Sequence, residues 1–445
     1  MRLTILALGS RGDVQPFAAL GAALQRRGHA VRIAAAEDYA GLVTEAGLEF
    51  AAVGGLIREQ MDFELTRQAL EASRRALPLG FARRFVQHVE PLVERIVADC
   101  AAAAQGAELL LVSTLGLLPG RLLAETLGLP LAAAHMHPAS PTRAFPDVNF
   151  PELPGWLPLR GRYNRLTHQL AAGGMAQLLH RPLERSRRTL FGRPPRSRRA
   201  AWQAAAAPPG LTLYAYSRHL AGPPPGDWER STTVTGFWFN PAAPGWAPPA
   251  GLARFLEDGP PPAYIGFGSI LAGEQPERLT ALLVEALQQA GLRGVLHRGW
   301  GDLGRLPGGA ALPESILSVD SAPHDWLFPR CTAVVTHGGA GTVAAALQAA
   351  RPTLVTPVFG DQFTWGRRVQ TLGAGPAPIP RRNIEAARLS ATGLAAVLRQ
   401  TVENPHYRRR AAEISRLLQA EDGPGQAADL LEAYHARFKN KIEIR

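Results

Sequence analysis

Three glycines lie close together where an apolar run of the sequence gives way to an alanine-rich run, in THGGAGTVAAALQ. The first run is typical of a buried strand and the second of a helix, which would begin near Gly339 with unpaired backbone N–H groups. Those groups and the positive end of the helix dipole attract anions, and glycine lets a phosphate come close to the backbone. With His337 at the end of the strand, the pattern predicts a phosphate site; a tight strand–helix turn without ligand is the alternative.

A second strand–glycine–helix junction lies near the N-terminus, in LALGSRGDVQP. Asp13 would lie at the start of the first helix, where aspartate is a preferred N-cap residue and Pro16 is tolerated. The alternative is a catalytic role, because the carboxyl edges of two such domains would face each other across a cleft. A carboxylate there can accept the proton of an attacking hydroxyl group, which accelerates such transfers by ~100- to 10,000-fold.

Other chemical patterns are not found at these junctions. Neither the Walker pattern nor the dinucleotide fingerprint follows the strands, so a triphosphate-cleaving enzyme is disfavoured. His135 and His137 have a spacing that could bind a metal, but no third ligand is near them in the sequence. Cys100 and Cys331 have neither CxxC nor zinc-type spacing, which excludes a disulfide framework and favours a reducing compartment.

The elements that would position these residues form two series. At 445 residues the chain exceeds the ~250–300 residues at which single cores usually stop growing. Short apolar runs alternate with amphipathic segments in both halves, as in RLTILAL, AVRIAAA, AYIGFGS and TAVVTH. This alternation predicts the α/β class with doubly wound parallel sheets. The predicted domains are 1–239 with an insertion at 137–210, a linker at 240–250, a second domain at 251–420 and a helical tail at 421–445.

The chain is strongly basic, with a formal net charge of +11. Residues 181–199 contain eight arginines, which usually means a solvated face, and the alternative is contact with an anionic membrane. Phe191 is the only aromatic residue of this run, so no nucleic acid partner is expected. No stretch reaches the ~18 apolar residues of a spanning helix and no signal peptide is recognisable, so we expect a cytoplasmic protein with at most peripheral membrane contact.

Four motifs, in the same order, identify a family that the sequence resembles. They are GSRGDVQP, TGFWF, AYIGFGS and the long stretch PHDWLFPRCTAVVTHGGAGTVAAALQAARPTLVTPVFGDQFTWGRRV. The sequence resembles nucleotide-sugar glycosyltransferases of the GT-B type (UDP-glycosyltransferase family). It is most similar to sterol glucosyltransferases and to bacterial enzymes that glycosylate macrolides and glycopeptides. The resemblance implies two Rossmann-like domains that face each other across a cleft.

The resemblance also implies a binding site for the sugar donor. The positions that match the family's diphosphate-binding and sugar-binding residues are Gly268, Ser269, His337, Gly339, Ala340, Gly341, Thr342, Asp361 and Gln362. His324 lies in the segment that holds the base. Arg11 and Gly12, in the loop before Asp13, are also expected to contact the donor.

The catalytic roles implied by the resemblance fall on Asp13 and His337. Asp13 matches the general base, and His337 would meet the charge of the leaving diphosphate. No Asp-x-Asp is present in the sequence, so no metal is expected. Ser321 and Ala345 replace the tryptophan and glutamate with which plant members bind the base and ribose, so uridine and thymidine donors both stay open.

Together these residues predict an inverting glycosyltransferase that moves a hexose to a hydroxyl group of a lipophilic acceptor such as a sterol, polyketide or phenolic. Glucose from UDP-glucose is the first choice and a dTDP-sugar the alternative; this donor is a co-substrate, and no permanently bound cofactor is expected. Apolar residues within 56–100 are expected to serve ordinary helix packing, and the alternative is that they line the acceptor pocket. Two alternatives are an inactive lipid-binding module at a membrane surface and a nucleotide-sugar epimerase. Acceptor identity and oligomeric state are not predicted.

Overall fold

In the computed structural model, the described residues are 1–55, 81–241, 245–268, 276–299, 302–385 and 388–443. The chain divides into two compact units, the first formed by Met1–Tyr216, Pro224–Asn240 and Asp422–Arg445, the second by Ser217–Pro223 and Pro241–Glu421. Ser269, predicted above to contact the donor, and the apolar residues 56–80, considered above for the acceptor pocket, lie outside the described residues. The domain boundaries inferred from the sequence remain predictions.

Within the described residues, the first unit contains one sheet of seven parallel strands in the order β3-β2-β1-β4-β5-β6-β7. Its central strands consist mainly of Leu, Ile, Val and Ala and are buried, as expected for parallel strands covered on both faces. The strands are β1 (Arg2–Leu6), β2 (Ala30–Ala35), β3 (Glu49–Ala52), β4 (Leu109–Val112), β5 (Leu131–His135), β6 (Leu211–Tyr214) and β7 (Thr232–Val234).

The second unit contains a sheet of five parallel strands in the order β10-β9-β8-β11-β12, again counted over the described residues. Its strands are equally short and apolar. They are β8 (Ala263–Gly266), β9 (Gly294–His297), β10 (Ile316–Val319), β11 (Ala333–Thr336) and β12 (Thr353–Val355). The predicted α/β class with two doubly wound parallel sheets is therefore confirmed.

Helices connect the strands in both units. In chain order they are α1 (Arg11–Arg26), α2 (Ala40–Thr44), α3 (Phe81–Ala103), α4 (Leu117–Leu127), α5 (Arg160–Leu178), α6 (His180–Phe191), α7 (Arg198–Ala206), α8 (Arg218–Ala221), α9 (Ala250–Glu257), α10 (Pro276–Ala290), α11 (His324–Leu327), α12 (Ala340–Gln348), α13 (Gln362–Thr371), α14 (Arg381–Glu385), α15 (Ala391–Glu403), α16 (Pro405–Gln419) and α17 (Gly423–Glu443). The insertion predicted at 137–210 consists of an irregular loop followed by α5, α6 and α7.

The segment TTVTGFWF forms less strand than its composition indicates. Only Thr232–Val234 pair with β6, because the chain leaves the sheet at Gly236, where φ is 94°. Phe237 and Trp238 are nevertheless buried. The Trp238 ring meets the Phe17 ring of α1 edge-on, at 5.6 Å between centroids and 78° between planes. Burial against a helix therefore replaces the strand pairing that the β-rich sequence predicts.

Each sheet has one point where the strand order reverses direction, between β1 and β4 in the first unit and between β8 and β11 in the second. At such a point the connections on either side leave toward opposite faces, so a crevice opens beyond the carboxyl ends of the two strands. The LALGSRGD junction follows β1, and the THGGAGT junction follows β11. Both glycine-rich junctions thus lie where an open parallel sheet binds ligands.

Helix α17 returns the chain to the first unit after the second unit is complete. Ala427, Ala428 and Leu431 of this helix are fully buried in the core that also contains Phe17 and Leu24 of α1. The residues set apart above as a helical tail therefore cover the first sheet. None of the helices in the described part of the chain is long and apolar enough to cross a membrane.

Candidate active site

The loops after β8 and β11 carry most of the predicted donor-binding residues. After β11 the chain turns at Gly338, whose φ of 96° is a left-handed conformation that favours glycine. A Cβ atom at Gly338 would lie 2.6 Å from Val355 Cγ1 and 3.0 Å from the Gln362 carbonyl oxygen. The absence of a side chain therefore lets the β11 loop pack directly against the start of α13.

Helix α12 begins at Ala340, one residue after the predicted start. Gly339 is its N-cap residue, and no side chain is hydrogen-bonded to cap this end. The first-turn N–H groups and the positive end of the dipole are therefore available to an anion. Gly341 is exposed, and a Cβ atom there would contact nothing within 4 Å. This helix end combines backbone donors with open space.

His337 is held between two glycines. A Cβ atom at Gly268 would lie 2.8 Å from His337 Cε1, and one at Gly339 would lie 2.6 Å from His337 Nε2. Its Nδ1 atom is buried and has no hydrogen-bond partner among the described residues. A buried polar atom without a partner is rare in proteins, which indicates that a ligand or a solvent molecule satisfies it.

The electrostatic surroundings of His337 favour the neutral imidazole. Burial lowers the pKa of His337 to about 4, and the positive charges of Arg381 and His297 act in the same direction. At neutral pH one ring nitrogen is therefore an N–H donor and the other an acceptor. Against a phosphate the histidine would act as a hydrogen-bond donor and not as a cation.

Asp361 and Gln362 follow β12 and begin α13. Asp361 Oδ2 accepts a hydrogen bond of 2.9 Å from Trp365 Nε1, and Trp365 is fully buried. Gln362 Oε1 accepts hydrogen bonds from the backbone N–H groups of Val358, at 2.8 Å, and Phe359, at 3.3 Å. The amide oxygen of Gln362 therefore holds its own loop. Its amide nitrogen takes no part in these two contacts.

His324 packs in an aromatic cluster beside the second sheet. Its ring stacks on Phe328, with 4.3 Å between centroids and 13° between planes, and the Tyr264 ring of β8 lies edge-on at 5.9 Å. Ser321 is exposed, and Ala345 packs against the apolar cluster around Phe328. Ser321 and Ala345 thus present neither an aromatic face nor a carboxylate to a nucleoside.

Asp13 lies in the first turn of α1, and the structure corrects the interpretation that Asp13 is the N-cap residue. The helix begins at Arg11 with Ser10 as its N-cap. Asp13 Oδ2 accepts hydrogen bonds from the backbone N–H of Ser10, at 2.9 Å, and from Ser10 Oγ, at 3.0 Å. Asp13 thus closes a capping box from the third helical position. Arg11 and Gly12 are exposed in the same turn.

Two family models match the chain. The glycosyltransferase family 28 N-terminal domain matches residues 3–146, and the C-terminal domain of proteins like erythromycin biosynthesis protein CIII matches residues 302–434. A sterol 3-beta-glucosyltransferase of Arabidopsis thaliana, UGT80B1, is 32% identical over all of this chain and 69% of its own length. The chain belongs to the GT-B glycosyltransferase family that includes these sterol glucosyltransferases. The resemblance seen in the sequence is confirmed.

Other relatives and solved structures agree with this assignment. A sterol 3-beta-glucosyltransferase of Yarrowia lipolytica is 33% identical over 95% of this chain and 28% of its own length, so the glycosyltransferase described here spans only part of several relatives. The calicheamicin glycosyltransferase CalG4 superimposes with a TM-score of 0.66 at 19% identity, over 98% of this chain and 99% of its own. A Streptomyces glycosyltransferase, SsfS6, solved with thymidine diphosphate, has a TM-score of 0.61 at 20% identity, over 97% and 99%. Glycosyltransferases of this fold use a nucleotide sugar as co-substrate.

Sequence reasoning missed Ser113, which supports the loop of Asp13. Ser113 follows β4 and is buried, and its Oγ accepts from Leu8 N–H at 3.0 Å and donates to the Leu8 carbonyl at 2.8 Å. Gly9, next along the loop, has a φ of 133°, and a Cβ atom there would lie 2.4 Å from Asp13 Oδ2. Ser113 directly follows β4, the strand adjacent to β1. That position could have identified Ser113 if the strand order had been known.

Sequence reasoning also missed Arg381, which begins α14. Its side chain is buried, its guanidinium lies 4.9 Å from the centroid of the Phe267 ring, and its backbone N–H donates to the Pro357 carbonyl. Phe267 directly precedes Gly268, so a buried cation lies beside the glycosyltransferase's glycine loop. The sequence gives no signal for this residue, because the chain contains many arginines and the pair Arg381–Arg382 resembles ordinary surface charge.

His135 is part of the packing of the first unit. Thr114 Oγ1 and His135 Nδ1 are 2.9 Å apart, and burial lowers the pKa of His135 to about 3, with smaller effects of His137 and Arg121. In the described part of the chain, no group of three His, Cys, Asp or Glu residues could hold a metal ion. Metal binding by His135 and His137 gains no support.

Proposed function

We propose that this glycosyltransferase transfers glucose from UDP-glucose to the hydroxyl group of a sterol or a similar flat, lipophilic alcohol, with inversion at the anomeric carbon. The observation that carries the proposal is the site of His337: a buried imidazole nitrogen without a partner, between two glycines, at the uncapped end of α12. Family membership supports the choice of acceptor, because the relative UGT80B1, which matches along the whole chain, is named as a sterol 3-beta-glucosyltransferase.

On the donor side, we propose that the diphosphate binds at the N-terminus of α12. The backbone N–H groups of Gly341 and Thr342 and the hydroxyl of Thr342 would donate to its oxygens, and the neutral His337 ring would donate an additional hydrogen bond. The buried charge of Arg381 favours an anion at this edge of the sheet. Asp361 and the Gln362 amide would bind sugar hydroxyls.

On the acceptor side, we propose Asp13 as the general base. The acceptor oxygen forms a bond to the anomeric carbon while the bond from that carbon to the diphosphate oxygen breaks. The acceptor proton passes to Asp13, and the diphosphate leaves with the electron pair. Ser10 holds the Asp13 carboxylate in one orientation, which suits a base that must meet a hydroxyl group placed by other residues.

The proposal is tested by incubating the purified protein with UDP-glucose or dTDP-glucose, each with a sterol in detergent micelles, a phenolic acceptor, or no acceptor. Release of nucleotide diphosphate and product mass are measured, and the anomeric configuration is determined by NMR coupling constants. We expect sterol-dependent release of UDP and a β-glucoside.

Three results would contradict the proposal. An α-glucoside would contradict the single displacement, and turnover only with the phenolic acceptor would contradict the sterol. Conversion of the donor into an isomer without any acceptor would identify an epimerase instead.

A further inference from the structure

Large apolar side chains are exposed along the start of α5 and in the loop before it. The exposed fractions are 80% for Trp156, 64% for Leu159, 50% for Leu166 and 42% for Leu170. Residues spaced by four and seven positions share one face of a helix, so Leu159, Leu166 and Leu170 lie on one side. Such a group of large apolar side chains in contact with water is unfavourable unless a partner covers it.

The backbone at Leu159 is strained, and its side chain is exposed. Leu159 occupies the N-cap position of α5 with a φ of 69°. For a residue other than glycine this left-handed conformation costs ~1–2 kcal/mol, and N-cap positions favour Ser, Asp, Asn or Thr. A polar residue would therefore suit both the backbone and the exposure better. The leucine is explained if its side chain enters an apolar environment.

The same segment is positively charged. The stretch between Glu152 and Glu184 contains no acidic residue. It contains four arginines, Arg160, Arg162, Arg165 and Arg181. Arg162 is exposed and lies one turn before Leu166 on the same face. The charge of Arg165 is partly balanced by the nearby carboxylate of Asp227. An apolar row with arginine beside it is complementary to the head groups and acyl chains of an anionic bilayer.

Three of the eight arginines in the run 181–199, which was considered above for membrane contact, are used inside the first unit. Arg185 pairs with Glu90 and Glu94 of α3. Arg187 and Arg196 both pair with Glu125 of α4 and with Glu184. These ion pairs join α6 to α3 and α4. Their arginines are therefore poorly suited to bind lipid.

We propose that Trp156, Leu159, Arg162, Leu166 and Leu170 form a docking face for the surface of an anionic lipid bilayer. Trp156 and the leucines would enter the boundary between head groups and acyl chains, and Arg162 would contact lipid phosphates. This binding needs neither donor nor acceptor. It is therefore independent of the reaction proposed above, although it would bring the enzyme to the phase in which lipophilic acceptors dissolve.

The test is co-sedimentation with vesicles of pure phosphatidylcholine and of phosphatidylcholine with 30% phosphatidylglycerol, at about 0.05 and 0.15 M salt, where screening differs. We expect the wild-type protein to bind the anionic vesicles, more tightly at low salt. The double variant Trp156→Ser/Leu166→Gln should bind at least ~10-fold more weakly, because two apolar anchors are lost. Arg162→Gln should weaken binding about fivefold and reduce its salt dependence.

Matched controls come from the second unit. Leu417 is 46% exposed and Arg254 is also exposed, so Leu417→Gln and Arg254→Gln remove the same chemical groups elsewhere. Both should bind vesicles like the wild type. In a second measurement, lipids brominated on the acyl chain should quench the wild-type tryptophan fluorescence more than that of Trp156→Phe.

Several results would overturn the proposal. They are no binding of the wild type to anionic vesicles at low salt, equal binding to neutral vesicles, or wild-type binding by the double variant. If the double variant fails to fold, the quenching of Trp156 decides: equal quenching in Trp156→Phe would show that this residue does not enter the bilayer.

Discussion

At the scale of the residue, the imidazole of His337 occupies a space that exists only because Gly268 and Gly339 have no side chains. Burial keeps the imidazole neutral, and its Nδ1 atom meets no protein partner among the described residues. Asp13 is different, because Ser10 already donates two hydrogen bonds to one of its oxygens. The same contacts would exist in a helix that only needs its end capped, and the two roles predict different results for the variant Asp13→Asn.

The first prediction concerns Asp13. Asp13→Asn keeps the size of the side chain and an oxygen that can accept from Ser10, but the amide cannot take up a proton. We expect kcat to fall by ~100- to 10,000-fold while the dissociation constant of UDP-glucose, measured by calorimetry, stays unchanged. Full activity of this variant would exclude Asp13 as the base. Weakened donor binding would point to a structural role instead.

The second prediction concerns the space around His337. In Gly268→Ala the new Cβ atom would lie 2.8 Å from His337 Cε1, so the ring or the loop has to move, and φ at this position is 63°. We expect the donor to bind at least ~10-fold more weakly, because this factor corresponds to the loss of one good polar contact. Gly251→Ala is the control, since a Cβ atom there meets nothing within 4 Å. If Gly268→Ala bound the donor with unchanged affinity, His337 would not belong to the donor site.

At the scale of the element, two parallel strands cooperate to hold the loop of Asp13. β1 leads into this loop. Ser113, directly after the neighbouring strand β4, is hydrogen-bonded to both the N–H group and the carbonyl of Leu8. The loop after β11 is fixed in a comparable way by the close approach of Gly338 to α13. In both units, a neighbouring element thus contacts the glycine-rich loop and helps to fix its geometry.

The third prediction follows from the Ser113 contacts. Ser113→Ala leaves the Leu8 N–H and carbonyl without their partner, which costs ~1–3 kcal/mol of stability and loosens the Asp13 loop. We expect kcat to fall several-fold with an unchanged dissociation constant for the donor. Ser390→Ala is a suitable comparison, because it removes the side-chain cap of α15 in the second unit at a cost of ~1 kcal/mol. Equal kcat values for the two variants would contradict a positioning role for Ser113.

At the scale of the whole molecule, the two units each have their own sheet, core and glycine-rich junction, and α17 returns to the first core at the end of the chain. Each unit also buries a histidine in its neutral form, His135 in the first and His337 in the second. Protonation of either ring therefore acts against folding.

The fourth prediction concerns stability as a function of pH. The pKa values of His135, about 3, and His337, about 4, lie below the ordinary value of 6.5 that applies in the unfolded chain. Between these values the unfolded chain binds protons that the folded protein does not, so the free energy of unfolding should decrease as the pH falls below 6.5. In His135→Gln this decrease, measured by chemical denaturation from pH 7 to 4, should be smaller. An unchanged pH dependence would show that His135 is not buried as a neutral group.

The sequence by itself determined the strands, the class of fold and the glycine-rich junctions, because apolar runs and helix starts are local patterns of side-chain size and polarity. It also placed His337 directly after its strand and Asp13 at the start of the helix that follows β1. Four motifs in order were enough to identify the family.

Only the tertiary structure decided which strands are neighbours, and with that the contacts of Ser113 with Leu8 and of Gly268 with His337, which join residues 105 and 69 positions apart in the chain. It likewise decided that Arg381 is buried beside Phe267, that Arg185, Arg187 and Arg196 are ion-paired, and that Trp156 is exposed. The physical reason is that burial and charge pairing depend on residues brought together by the packing of distant segments, which no local pattern encodes.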